Sequence, residues 1–279
     1  MAKCLQLYRG TVLLGDATQL PTLKAVAGFP NDHIIYGKDP HQPGTNNFMI
    51  AIKNIVLDSN NVDPASQITL LDWTVSQATQ LTNVVFEMPN FSTGHKGLTT
   101  QYNTAEASNS NVIVNDLTFN GGVIGMDVDG QQWLFKGINF NGCTTGMNIA
   151  SGFNVVVSAS TFTDCFTGIN ATGASGSLTL LDSNGHNLDA LVRSFNSDTA
   201  GHFIILENVK SDSKTVVLNN NALVTGDVSD TWVHGDVVSR AVTTLRHAWL
   251  ISVVFSGKPL YAISRKRKSG HAETIKLAC

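Results

Sequence analysis

A chain of 279 residues is long enough to bury a substantial core, and only 14% of those residues are charged. The net charge of −3 conceals a division: residues 1–239 carry 10 Lys/Arg against 20 Asp/Glu, whereas 240–279 carry 8 against 1. An acidic body excludes a nucleic-acid role for the folded part, because phosphate binding needs a basic face there; four scattered cysteines, Cys4, Cys143, Cys165 and Cys279, exclude a disulfide scaffold and a CxxC metal site.

Met1 to Leu20 has Lys3 and Arg9 but no unbroken apolar run and no small-residue cleavage site, so it does not read as a signal peptide. Residues 1–46, with turn-rich runs such as Phe29-Pro-Asn-Asp32, read as an incomplete cap segment. Short apolar runs follow at Ile52-Lys-Asn-Ile-Val-Leu57 and Leu81-Thr-Asn-Val-Val-Phe86, with loops expected between them at 58–80 and after them at 87–111. Loops of that length on a rigid scaffold are where ligand-binding residues sit.

A repeat then emerges. Phe119, Phe140 and Phe162 are separated by 21 and 22 residues, as are Val114, Phe135 and Val157, and as are Gly125, Gly146 and Gly168. A period of about 20–25 residues is the mark of a solenoid whose units stack only on their neighbours. Within each unit Leu117 and Phe119, or Ile138 and Phe140, fall on one face of a short strand. Each glycine stands either where φ is positive or where a Cβ would clash. The spacing predicts an all-β, single-stranded right-handed parallel β-helix over 47–239, with the three phenyl rings in one inward ladder.

Weaker copies continue at Leu178-Thr-Leu-Leu-Asp182 and Phe203-Ile-Ile-Leu-Glu-Asn208, and the pattern stops near Thr231-Trp-Val-His-Gly-Asp236. Residues 240–279 lose the period and are expected to form a basic tail outside the solenoid. The apolar stretch from Ala248 to Phe255 is far shorter than the roughly 20 residues that span a bilayer, so no membrane anchor is expected.

The run Trp73-Thr-Val-Ser-Gln-Ala-Thr79 resembles glycoside hydrolase family 55, whose N-terminal β-helix carries a similar Trp-x-Val-x-Gln-Ala-Thr segment. Similar stretches are Gly15-Asp-Ala-Thr-Gln-Leu-Pro21, Thr93-Gly-His-Lys-Gly97 and Phe140-Asn-Gly-Cys-Thr-Thr-Gly146, and the likeness covers roughly 11–239. The resemblance implies secreted enzymes with two tandem β-helices that remove glucose from β-1,3-glucan ends with inversion. It implies a polysaccharide partner, an extracellular location and no cofactor. On that comparison the chain reads as truncated at both ends, lacking the second β-helix that holds the family's catalytic acid.

Inverting hydrolysis needs a protonated carboxylic acid and a second group that positions water, about 6.5–9.5 Å apart. No such pair stands out, since Glu87, Asp127, Asp129, Asp164 and Asp182 sit at strand ends or turns where acidic residues are ordinary turn chemistry. By resemblance, Gln77 matches the residue that holds the attacking water, with Gln80 second. A residue at this position reads equally as an amide bonded to the next coil. Ser92, His95 and Ser108 are further candidates for the same cleft, and Trp73 and Trp133 would stack on sugar rings if exposed. Cys143 and Cys165 occupy one point of successive coils, as free thiols or as a bridge.

Two other functions fit the same fold. A polygalacturonase would need Asn-Thr-Asp, Gly-Asp-Asp and Gly-His-Gly together, and here Gly185-His-Asn187 stands alone. A pectate lyase would need an acidic calcium cluster and a base, yet residues 112–209 hold only Lys136 and Arg193. The non-enzymatic alternative is a glucan-binding or structural β-helix.

Overall fold

The computed structural model describes residues 3–43, 46–100, 110–174, 176–195, 202–235, 248–255 and 258–265. Every regular element among them is a strand. A ten-stranded sheet runs through Leu5–Gln6, His33–Tyr36, Ile68–Asp72, His95–Thr99, Ile124–Val128, Thr145–Ile149, Thr167–Asn170, Ala190–Arg193 and Lys214–Leu218, all parallel. The antiparallel strand Asn221–Thr225 ends it. A 13-stranded sheet supplies the rest of each coil. Since the chain passes once per coil from the smaller sheet to the larger and back, with one long or two short strands in the larger, and pairs with strands one coil away, it is a parallel β-helix.

The corner inside the larger sheet has a clear chemical cause. Asn54, Asn83, Asp116, Gly137, Ala159, Asp182 and Asn208 lie in register on seven successive coils, each with φ between 48° and 68°. Asn, Asp and Gly tolerate this left-handed conformation best. The amides also bridge coils: Asn83 Nδ2 donates to Asn54 Oδ1 at 2.9 Å, and Asn208 Nδ2 to Asp182 Oδ1 at 2.6 Å.

Inside, Phe119, Phe140 and Phe162 stack as the spacing requires, with centroids 5.0 Å apart at each step, and Phe86 precedes them at 4.4 Å. Gly97 and Gly125 pass directly behind the rings. A Cβ on Gly97 would lie 2.6 Å from Phe119, and one on Gly125 would lie 2.7 Å from Phe140. Neither has a positive φ, so of the two roles open to them these glycines serve close approach.

The expected loops 58–80 and 87–111 are a correction. Each contains a strand of the smaller sheet, Ile68–Asp72 and His95–Thr99. In that sheet two consecutive positions point inward, Leu70 and Leu71 in one coil and Gly97 and Leu98 in the next, all buried. The period of two is therefore broken where the sequence would have announced a strand.

Residues before 47 already join both sheets: Leu5–Gln6 and His33–Tyr36 in the smaller, Val12–Leu14 and Thr22–Lys24 against Ala51–Asp58 in the larger. At the other end Val228–Gly235 turns antiparallel to Phe203–Ser211. Ala248–Phe255 and Lys258–Arg265 form a two-stranded antiparallel sheet of their own.

Candidate functional site

Successive strands of the smaller sheet place one outward residue per coil in a row. Asp127, Asn148 and Asn170 are consecutive members of that row. Asn148 Nδ2 donates to Asp127 Oδ1 at 2.8 Å, and Asn170 Nδ2 to Asn148 Oδ1 at 2.9 Å. Lys96 Nζ holds the other oxygen of Asp127 at 2.7 Å. Arg193 is next in the row, its Nε donating to Thr167 Oγ1 at 2.8 Å. The result is a polar stripe of fixed donors and acceptors spaced by the roughly 4.8 Å strand separation. Its spacing was legible, because 127, 148 and 170 repeat the 21- and 22-residue steps of the phenylalanines. From the sequence alone Asp127 looks like ordinary turn chemistry, and Lys96 and Asn148 carry no local signal of joining it, because their contacts span 31 and 21 residues.

Gln77 is exposed on the bend that follows Ile68–Asp72. Strand alternation fails there: Trp73, Thr74, Val75 and Ser76 are all buried, and Ala78 has a φ of 57° that turns the chain before the next strand. Gln80 opens the strand Gln80–Glu87, partly buried, with its N–H donating to Ile50 O at 3.0 Å. Ser108 lies outside the described residues.

Ser92 and His95 lie at the opposite end of the same strands. His95 pairs in register with Ile68, whereas Gln77 lies past Asp72, so a strand length of about 15 Å separates the two. His95 is fully buried, with Nδ1 2.8 Å from Ser59 Oγ and Nε2 2.9 Å from Asp63 O. A carbonyl only accepts, so Nε2 carries the proton and Nδ1 is left to accept from the serine. Ser92 Oγ donates to Pro64 O at 2.8 Å and accepts from His95 N–H at 2.9 Å. These two side chains clamp neighbouring turns together, and the structure does not bring them beside Gln77.

Trp73 and Trp133 are also inside. Trp73 is wholly buried and Trp133 is stacked 5.3 Å from Phe135, so neither offers a face to a sugar. Cys143 and Cys165 are buried free thiols.

The carboxylates are arranged as acceptors. Lys214 Nζ and Arg193 flank Asp189 at 2.8 and 2.6 Å, and those hydrogen bonds and charges hold its pKa below the usual carboxylate range. Asp212 is lowered by the Ser213 hydroxyl, the Asn187 N–H and the adjacent His186. At Asp58 burial pushes the pKa up, but the hydrogen bonds from Lys24 and Asn60 outweigh it. Among the described residues, every carboxyl group with a shifted pKa is shifted down. A general acid requires the opposite displacement.

A family model described as rhamnogalacturonase A/epimerase, pectate lyase-like, matches residues 1–170. The chain is 28% identical over 249 residues to a probable glucan endo-1,3-beta-glucosidase of Arthroderma benhamiae, covering 82% of this chain and 28% of that protein. It is 27% identical over 252 residues to a glucan 1,3-beta-glucosidase of Cochliobolus carbonum, covering 82% and 31%. With a glucan endo-1,3-beta-glucosidase of Trichoderma harzianum the identity is 32% over 249 residues, covering 87% and 32%. The chain thus spans about a third of the length of the curated relatives it matches.

Proposed function

The chain belongs to the pectate-lyase-like family described as rhamnogalacturonase A/epimerase, and from that premise we propose that it is a β-1,3-glucan-recognising β-helix of a glycoside hydrolase, extracellular in location. In this reading its own residues bind and orient the polysaccharide while the proton donor is supplied from outside these 279 residues. The relatives named glucan endo-1,3-beta-glucosidase and glucan 1,3-beta-glucosidase support the substrate class. The observation that carries the division of labour is geometric: Asp58, Asp127 and Asp189 each accept from a lysine or arginine at 2.6–2.8 Å, an arrangement that favours the carboxylate, whereas glycoside hydrolysis needs one carboxyl held protonated.

Gln77 is the proposed contact for a sugar hydroxyl or the attacking water. An exposed primary amide on a bend offers one acceptor and two donors without breaking a ladder. Gln80, three residues on at the start of the next strand, is the second candidate. Ser92 and His95 support the coil from its far edge.

Electrophoresis through gels containing laminarin or polygalacturonan, paired with a sensitive reducing-sugar assay, tests the proposal. Laminarin should retard the protein and polygalacturonan should not. Gln77→Ala should weaken the laminarin interaction about five- to tenfold, the worth of one good polar contact. Reducing-sugar release should stay at background. Robust release would place the acid inside this chain, and retardation by polygalacturonan alone would replace the substrate class.

A further inference from the structure

We propose that the turn surface around Asp189 is a second carbohydrate-binding site, distinct from the Gln77 bend, that takes a short segment of a neutral glucan. The choice of a β-glucan rests on the reading above; the demand for a neutral polyol comes from this surface alone.

Phe166, Asp189 and Ser213 occupy one position on three successive coils, just before the paired residues Thr167, Ala190 and Lys214. The Asp189 N–H donates to Phe166 O at 3.1 Å, which ties two of these turns together. Beside them opens a shallow depression of about 430 Å³ whose walls come from Asn187, Leu188, Asp189, Asp212, Ser213 and Lys214. That lies in the size range of small-molecule sites.

The lining suits a sugar better than an ion. Asp189 is balanced by Arg193 at 2.6 Å and Lys214 at 2.8 Å, and Asp212 is paired with His186. Asp189 is therefore neutralised by two fixed cations, and Asp212 faces a histidine whose charge depends on its protonation, so the field that would draw in a polyanion or a free cation is weak. What remains are carboxylate oxygens fixed in place by their partners, with the Asn187 amide, which spends one hydrogen on Asp164 Oδ1 at 2.7 Å, the Ser213 oxygen, whose hydrogen goes to Asp212, and the further hydrogens of the Lys214 ammonium around them. Fixed carboxylates accept from vicinal hydroxyls, and the amide and ammonium donate to ring and hydroxyl oxygens.

An aromatic face completes the chemistry. Phe166 is 58% exposed, unlike the phenylalanines of the core ladder, and the Arg193 guanidinium lies 5.2 Å from its ring centroid. Arg193 also donates to Thr167 and Asp189, so the ring, the cation and the carboxylate form one braced unit. A ring held this way at the surface offers its free area to the C–H face of a pyranose, while the adjoining depression takes the hydroxyls.

Isothermal titration of the full chain with laminarihexaose and cellohexaose, on wild type, Phe166→Ala, Asp189→Asn, Gln77→Ala and the Phe166→Ala/Gln77→Ala pair, tests this. Phe166→Ala should weaken binding of at least one hexasaccharide about five- to tenfold while leaving the melting temperature within a degree or two, because the ring lies outside the core. Asp189→Asn should act in the same direction. The double variant should lose more than either single one. If Gln77→Ala abolishes binding and Phe166→Ala matches wild type, the second site is overturned and the Gln77 reading stands. If Phe166→Ala weakens binding and Gln77→Ala does not, the reverse holds. Failure of wild type to bind either sugar at millimolar concentration overturns the site.

Discussion

Leu191 fills the space in front of Gly185 that a phenyl ring fills in the preceding coils. Gly185 pairs in register with Phe162, and a Cβ placed on it would meet Leu191 Cδ1 at 3.1 Å. One coil earlier the partners are reversed, with Phe162 in the ring position and Gly168 in the position of Leu191. Bulk has moved from one wall of the core to the other, with Leu188 also closing on the space at 3.0 Å from that Cβ, as close packing demands.

This exchange makes two glycine substitutions unequal. Gly125→Ala forces a methyl to 2.7 Å from both the Gly146 carbonyl oxygen and the Phe140 ring, and backbone cannot retreat. A loss of about 1–3 kcal/mol is expected, or several degrees in melting temperature for a chain of this size. Gly185→Ala meets only leucine methyls at 3.0 Å or more and should cost less than half as much. Thermal melts of the two variants side by side decide the matter, and equal losses would mean that the ring ladder does not set the packing.

The phenyl ladder was legible because Phe119, Phe140 and Phe162 repeat a bulky inward residue at constant spacing. Gly185 hid the next rung, since the residue that takes over its volume lies six positions later on another wall. Ile68–Asp72 and His95–Thr99 were hidden for a related reason, two adjacent inward positions having destroyed the alternation. At the candidate site, Gln77 was visible through its neighbours Trp73 and Ala78. The burial of His95 was not, because its partners Ser59 and Asp63 belong to the previous coil, beyond the reach of any local pattern. Lys96 and Asp127 are likewise 31 residues apart in sequence.

Acid should weaken the fold through its paired carboxylates. Asp58 is held below its ordinary pKa by Lys24 and Asn60 against the opposing effect of burial. A group depressed in the folded state contributes stability that is complete above its unfolded pKa, about 4, and is lost as the pH falls through the lower folded value. Asp58→Asn should therefore lower the melting temperature at neutral pH, converge on wild type in strong acid, and flatten the dependence below about pH 4. Parallel curves for the two proteins across that range would remove Asp58 from the account.

Asn90-Phe91-Ser92 and Asn170-Ala171-Thr172 both match the Asn-x-Ser/Thr glycosylation pattern, and they should behave differently in a secreting host. Asn90 is exposed beside Phe91, whereas Asn170 donates its amide to Asn148 at 2.9 Å and accepts from the Thr172 hydroxyl at 2.8 Å. A glycan on Asn170 would have to break the stripe on the smaller sheet. Mass spectrometry of the secreted protein should find Asn90 occupied and Asn170 bare. Full occupancy of Asn170 would show that the amide ladder is dispensable.

The last prediction concerns the stacked thiols. Cys143 Sγ lies 3.8 Å from Phe119 O, and Cys165 Sγ lies 3.3 Å from Thr163 O, both in the buried interior. The hydrogen bond to Cys165, together with burial, pushes the Cys143 thiol well above its ordinary pKa. Alkylation requires the thiolate and a path for the reagent, and Cys143 has neither, while Cys165 lacks the path. Cys4 is partly exposed and has no such protection. Native protein treated briefly with iodoacetamide should therefore carry the label on Cys4 and not on Cys143 or Cys165, and denaturant should bring both up to the same level. Peptide mass spectrometry with and without denaturant reads all three sites in one experiment. Labelling of Cys165 in the native protein at the rate of Cys4 would mean that this part of the core opens readily, and that the coil pair Asn139–Asn141 and Thr161–Thr163 is less firmly closed than its register implies.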